Sequence, residues 1–189
     1  MQAIQGFFKS FFKNAISSAT ACEQKALPIY PPELNIVMRE QWRAEPAVMG
    51  LPDDPLLHLE NPVKNIFLND TATLMCDDLE ECTTRLRKIQ WNHQDGGYPD
   101  ITHNFMIGTE GTVYVGRGWD WHPDAMRFAI KGDVIDIAFI GNFERLDPLP
   151  VMMEAAEKLI AHGVKLNKVQ ANYTTTWFRD YESSWLKVE

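Results

Sequence analysis

Five histidines (His58, His93, His103, His122 and His162) and three cysteines (Cys22, Cys76 and Cys82) are the side chains of this 189-residue chain best suited to metal or nucleophilic chemistry. No two of the histidines have metal-ligand spacing on one helix. A glycine-rich phosphate loop, a G-x-S-x-G elbow and an H-E-x-x-H pair are all absent. His162 falls near the C-terminal end of an expected helix, where a cation suits the dipole, so structure accounts for it. Cys76 and Cys82 are flanked by Asp77, Asp78, Glu80 and Glu81. Neighbouring carboxylates disfavour a thiolate, which points to a structural role rather than a nucleophile. The pair could close a short loop, and if oxidised it would place the domain in an oxidising compartment. Cys22 is left over, with a free and an intermolecular state both open. Spacing alone therefore names no active site.

The elements that must position these side chains alternate between strand and helix. Residues 35–38 and 65–68 read as short strands, the second buried. Asp77 or Asp78, followed three residues later by Glu80 or Glu81, offers a capping box. Behind it Leu79, Cys82, Leu86, Ile89 and His93 predict one face of a helix running to about Gln94. Residues 104–107 and 112–115, joined by Gly108 through Gly111, predict a hairpin. Residues 135–140 predict a central strand ending at Gly141. Pro148 and Pro150 introduce a helix whose core stripe is Met152, Ala155, Ala156, Leu159, Ile160 and Gly163. Residues 173–177 supply the last strand. The order implies a mixed α/β fold, a sheet of about five strands with helices packed on it.

Composition narrows the function classes. With 45% hydrophobic and 23% charged residues the chain is ordinary globular material, and 189 residues suit one domain plus an extension. A formal net charge of −8 argues against a general nucleic-acid binder, which needs a basic face for phosphates. Residues 1–34 form a distinct segment, and residues 35–189 the domain. In the former, Ile4, Phe7, Phe8, Phe11, Phe12, Ala15 and Ile16 recur at helical spacing, with Lys9 and Lys13 among them. Such an amphipathic pattern fits a membrane surface, a targeting segment, or packing against the domain or a partner. Lys13 interrupts the apolar run of a signal peptide, and the prolines of residues 22–34 suit a linker.

Several stretches together resemble the peptidoglycan recognition protein domain, which shares its fold with type 2 N-acetylmuramoyl-L-alanine amidases. They are residues 36–42, residues 65–72, and Cys76 to Cys82 with the helix through Ile89, Gln90 and His93. Asp100, Ile101, Asn104 and Phe105 follow, then Gly108 through Trp119, residues 139–143 and residues 159–163. The resemblance spans about residues 35–181. It implies a five-stranded mixed sheet flanked by three helices and a Cys76–Cys82 disulfide beside a ligand groove.

In active members of that family, zinc is held by two histidines and a cysteine. The resemblance places Asn69, Phe178 and Leu186 at those positions, and His103 at a supporting tyrosine. An amide is a poor zinc ligand, while Phe and Leu supply no donor. No metal, no cofactor and no amidase activity are therefore expected; the alternative is an active zinc amidase whose C-terminal ligands lie in another register. The implied groove residues are Asp70, His93, His103 and Trp119. Ala125 stands at a ligand-contacting histidine, and Asp133 near an arginine that pairs with a stem-peptide carboxylate, which a carboxylate would repel. Arg117 beside Trp119 suits a sheet-edge brace better than a sugar platform. The reading is a non-catalytic receptor, co-receptor or regulator in innate immune signalling. Its expected partners are peptidoglycan fragments, a related recognition protein in a homo- or heterodimer, and signalling partners reached through the N-terminal segment. The cysteine pair favours an extracellular or membrane-associated location, and the lack of a clear signal peptide keeps a cytoplasmic form open.

Overall fold

The computed structural model describes residues 30–48, 58–124, 133–177 and 179–180. Two helices lie against a six-stranded mixed sheet, the strands running β1 (Ile36–Val37), β2 (Val63–Asp70), β3 (Phe105–Ile107), β4 (Val113–Val115), β5 (Val134–Phe139) and β6 (Val169–Trp177). Across the sheet the order is β1-β4-β3-β5-β2-β6. Among the described strand pairs the β3–β4 hairpin alone is antiparallel; β1 joins β4, and β5 joins β3 and β2, in parallel, as does β6 with β2. The sixth strand of the sheet is the two-residue β1 at its edge, seated on β4 by Ile36 against Val113. A third helix does not appear among the described residues.

Each helix covers one face. Helix α2 (Pro150–Lys165) starts with proline at its first turn, where the missing N–H costs nothing, and buries Met152, Ala155, Ala156, Leu159, Ile160 and Gly163. These pack on Ile66 and Leu68 of β2, Phe105 and Ile107 of β3, and Ile135, Ile137 and Phe139 of β5. Strand side chains alternate, so the intervening residues face the other way. There Met106, Tyr114, Ala138 and Ile140 meet Cys82, Leu86 and Ile89 of helix α1 (Leu79–Asp95). Asp78 caps α1, its carboxylate accepting the Glu81 N–H at 2.8 Å, while Glu81 reaches back to the Asp77 N–H at 3.2 Å. Leu79, expected on the core face, is exposed at the first turn; Thr83 and Gln90 are buried instead.

The last strand is longer than the alternation of residues 173–177 indicates. It begins at Val169, and its middle residues are exposed because β6 lies at the sheet edge with β2 its one neighbour. The stretch between the two helices is spanned by β3–β5, whose hydrophobic runs are buried on both faces. Cys76 and Cys82 form a disulfide, and the Thr109 hydroxyl donates to the Cys76 carbonyl at 2.5 Å, fastening the segment before α1 to the β3–β4 turn. No helix among the described residues is long and apolar enough to cross a membrane. The amphipathic pattern of residues 1–21, with Cys22, lies outside the described residues, as do Ala125, Phe178 and Leu186.

Candidate ligand groove

Parallel strands that end side by side leave an open crevice beyond their carboxyl ends, because the chain must turn away from each in a different direction. Here β2, β5 and β6 end together. A groove of about 470 Å³ opens there, lined by Leu68 to Ala72 at the end of β2, by Asn142 to Glu144 after β5, and by Trp177 and Arg179 at the end of β6. Its remaining wall is His93 and Tyr98 from the end of α1, with Thr102 and His103 from the segment entering β3. Of the residues expected in the groove, Asp70, His93 and His103 are therefore brought together.

Trp119 is not with them. Its ring packs against Phe105 at 4.5 Å between centroids and is 5% exposed, wedged under α2. A Cβ on Gly163 would sit 2.7 Å from that ring, so the helix approaches as closely as it does only because residue 163 is glycine. Trp119 is a core residue, and the expectation that it lines the groove is corrected: an indole between Gly118 and Asp120 gave no indication of its side. Arg117 is a brace. It is buried, donating to the Ile101 carbonyl at 2.7 Å, the His122 carbonyl at 2.8 Å and the Asp124 carboxylate at 2.5 Å. Asp133 does not line the groove; its carboxylate accepts the Glu60 N–H at 3.0 Å.

The groove floor is held rigidly. The Asn104 side-chain amide donates to the carbonyls of Gly118 and Trp121, and its oxygen accepts the Asp136 backbone N–H at 2.9 Å. A Cβ on Gly116 would collide with the His103 carbonyl oxygen, so glycine lets β4 close against the segment that carries His103. His93 accepts the Thr102 backbone N–H on Nδ1 at 3.1 Å. A backbone N–H can only donate, so Nδ1 carries no proton and the neutral ring holds its hydrogen on Nε2. Burial, with His103 and Arg117 nearby, lowers the His93 pKa to about 4.

His103 has a partner that reading the sequence missed. Its Nδ1 lies 2.5 Å from Oδ2 of Asp136, which is fully buried in the middle of β5. The rings of His93 and His103 meet edge to face, with centroids 5.7 Å apart. A signal for Asp136 was present: it is the single charged residue inside an otherwise apolar strand, and a carboxylate in such a place requires a hydrogen-bonding partner.

The N-acetylmuramoyl-L-alanine amidase family model matches residues 59–181. Mouse peptidoglycan recognition protein 1 is 33% identical over 150 residues, covering 79% of this chain and 79% of that protein. The chain belongs to the peptidoglycan recognition protein family. Peptidoglycan-recognition protein LA of Drosophila melanogaster is also 33% identical, over 141 residues, but this chain spans only 36% of its length. Among solved structures, the ectodomain complex of peptidoglycan recognition proteins LCa and LCx with tracheal cytotoxin superposes with a TM-score of 0.70 at 30% identity, covering 78% of this chain and 86% of that one. The amidase-like fold and the Cys76–Cys82 disulfide expected from the resemblance are both present in this recognition domain.

At the position where the resemblance puts the first zinc ligand of active amidases, the described residues are engaged in the loop itself. Asn69 offers an amide oxygen that already accepts the Asp70 N–H at 2.9 Å. Both carboxylate oxygens of Asp70 are engaged, with the N–H of Ala72 at 2.8 Å and of Phe143 at 2.6 Å. Among the described residues no three His, Cys, Asp or Glu side chains converge to hold a metal ion.

Proposed function

We propose that this chain is a non-catalytic recognition domain of innate immune signalling that takes a peptidoglycan fragment into the groove at the ends of β2, β5 and β6. The observation that carries the reading is the fixed polar floor of that groove. His93 and His103 are each held through Nδ1 and line the groove, and the resemblance puts Asn69 where an amidase needs an imidazole. An amide cannot lower the pKa of a bound water as a zinc site does, so binding is retained and hydrolysis lost. Asp133, tied to Glu60, is outside the groove lining, so the repulsion expected from its carboxylate does not weigh against a ligand there. Pairing with a related domain belongs to the same reading, since LCa and LCx are found as a complex with tracheal cytotoxin. Recruitment of signalling partners is assigned to the N-terminal segment.

Calorimetric titration of the full chain against lysine-type and diaminopimelate-type muropeptides, with metal analysis and a stem-peptide release assay on the same preparation, tests this. Saturable binding of at least one fragment, without stoichiometric zinc or turnover, is the expected result. Bound zinc together with release of stem peptide would overturn it in favour of an amidase.

A further inference from the structure

We propose that Asn172 is an N-linked glycosylation site, that Asn69 is not, and that the glycan shields the open edge of β6. The chain holds two acceptor triplets of the form Asn-x-Thr with x other than proline, Asn69-Asp70-Thr71 and Asn172-Tyr173-Thr174. Such a triplet by itself says little; the fold separates the two copies. The inference goes beyond the groove reading and does not depend on what the groove binds.

Asn172 lies where β6 leaves regular pairing. Val63 pairs with Val169, yet Asn65 already pairs with Thr174, so β6 bows away from β2 between those two contacts. Residues 171–175 are exposed, and Asn172 stands within the bow. The Thr174 hydroxyl donates to Oδ1 of Asn65 at 3.0 Å and pins the far end of the bow. A bulky polar chain on Asn172 therefore meets solvent rather than protein. It also leaves the groove clear, because Trp177 of β6 reaches the groove roughly 15 Å further along an extended strand. Asn69 has the opposite setting. It is half-buried at the end of β2, its Oδ1 accepts the Asp70 N–H at 2.9 Å, and it lines the groove. Thr71 is bound into the same loop, its hydroxyl accepting the Gly141 N–H at 3.1 Å. A glycan on Asn69 has to break this loop and fill the groove.

The Cys76–Cys82 disulfide is a separate indication that the chain meets the machinery for the reaction. Disulfides form in the oxidising lumen of the secretory route, where N-glycans are also added. The donor is a lipid-linked oligosaccharide diphosphate. Nδ2 of Asn172 forms a bond to C1 of its first sugar, and the bond from C1 to the diphosphate oxygen breaks. The lipid diphosphate leaves with that electron pair, and the amide gives up one hydrogen as a proton.

β6 gives the glycan a task. Long edge strands invite pairing with another chain, and proteins blunt them with charge, proline, shortness or a bulge. The nine residues Val169–Trp177 include neither a charged residue nor a proline, and no strand of the sheet lies beyond them. The bow blunts the first half alone. From Thr174 to Trp177 the strand keeps regular register with β2 and leaves its outer edge open. A glycan on Asn172, just before that stretch, keeps a second strand from approaching it.

The test takes the full chain from cells that naturally produce it, treats it with a peptide N-glycanase and maps it by peptide mass spectrometry. That enzyme converts the asparagine that carried a glycan to aspartate. Loss of mass on treatment, with the conversion at position 172 and not at position 69, is the expected result. In the same cells Asn172→Gln should abolish the mass loss, Thr174→Ser, which keeps an acceptor triplet, should retain it, and Asn69→Gln should leave it unchanged. A bare Asn172, whatever the state of the two cysteines, or a glycan on Asn69 overturns the assignment. Hydrogen exchange reads the shielding role. In Asn172→Gln the amides of residues 174–177 should exchange several-fold more slowly as concentration rises, and in the glycosylated parent they should not. Equal behaviour of the two overturns that role.

Discussion

At the scale of single residues, the chemistry of this domain is decided by what occupies each side chain's hydrogen-bonding positions. Asp70 is a carboxylate in a groove, yet it works as a loop brace, because the N–H groups of Ala72 and Phe143 already take both its oxygens. His93 shows the same principle through titration. Its folded pKa, lowered to about 4, lies below the usual 6.5 of an unfolded histidine. Between those values the unfolded chain binds the additional proton, so stability rises with pH across that window. His93 contributes no penalty above about pH 6.5, and destabilisation grows as pH falls toward about 4. Proton NMR should place the His93 midpoint well below the usual 6.5, and His93→Phe should flatten the stability profile in that window; a midpoint near 6.5 would contradict the assignment.

At the scale of elements, each helix is held by a short local device and a long apolar stripe. For α1 the device is Asp78, whose carboxylate accepts the Glu81 N–H. Asp78→Ala should lower unfolding stability by about 1 kcal/mol, read from a urea midpoint at unchanged slope. The groove architecture should survive this change, because α1 is also fastened through Leu86 and Ile89. These features were legible in the sequence: the acidic cap precedes a three-four apolar spacing, and Pro150 precedes another. Leu79 fits the stripe by spacing, but as the first residue of α1 it is left exposed. Spacing defines a helix face but not how far along the helix its neighbour extends.

At the scale of the whole molecule, the groove exists because three parallel strands end together and the segments before α1 and β3 are clamped beside them. The Cys76–Cys82 disulfide belongs to that clamping, with both cysteines buried under the β3–β4 turn. Closing so short a loop restricts the unfolded chain modestly. The pair of changes Cys76→Ser and Cys82→Ser should therefore cost roughly 2 kcal/mol rather than abolish folding. Thermal melts with and without reductant check this: reductant should lower the melting temperature of the parent and leave that of the double variant unmoved.

The sequence by itself determined most of the elements, their order and the family, because periodicity, capping and residue type are local properties. It also contained the oddity of Asp136, a lone carboxylate in an apolar strand, without saying what answers it. Only the tertiary structure decided that His103 does, 33 residues away in the chain, and that Trp119 belongs to the core while Asp133 stands outside the groove. Those outcomes depend on which strands become neighbours and which face each side chain takes. Neighbour choice is settled by the cooperative burial of both sheet faces, and no local stretch of residues encodes it.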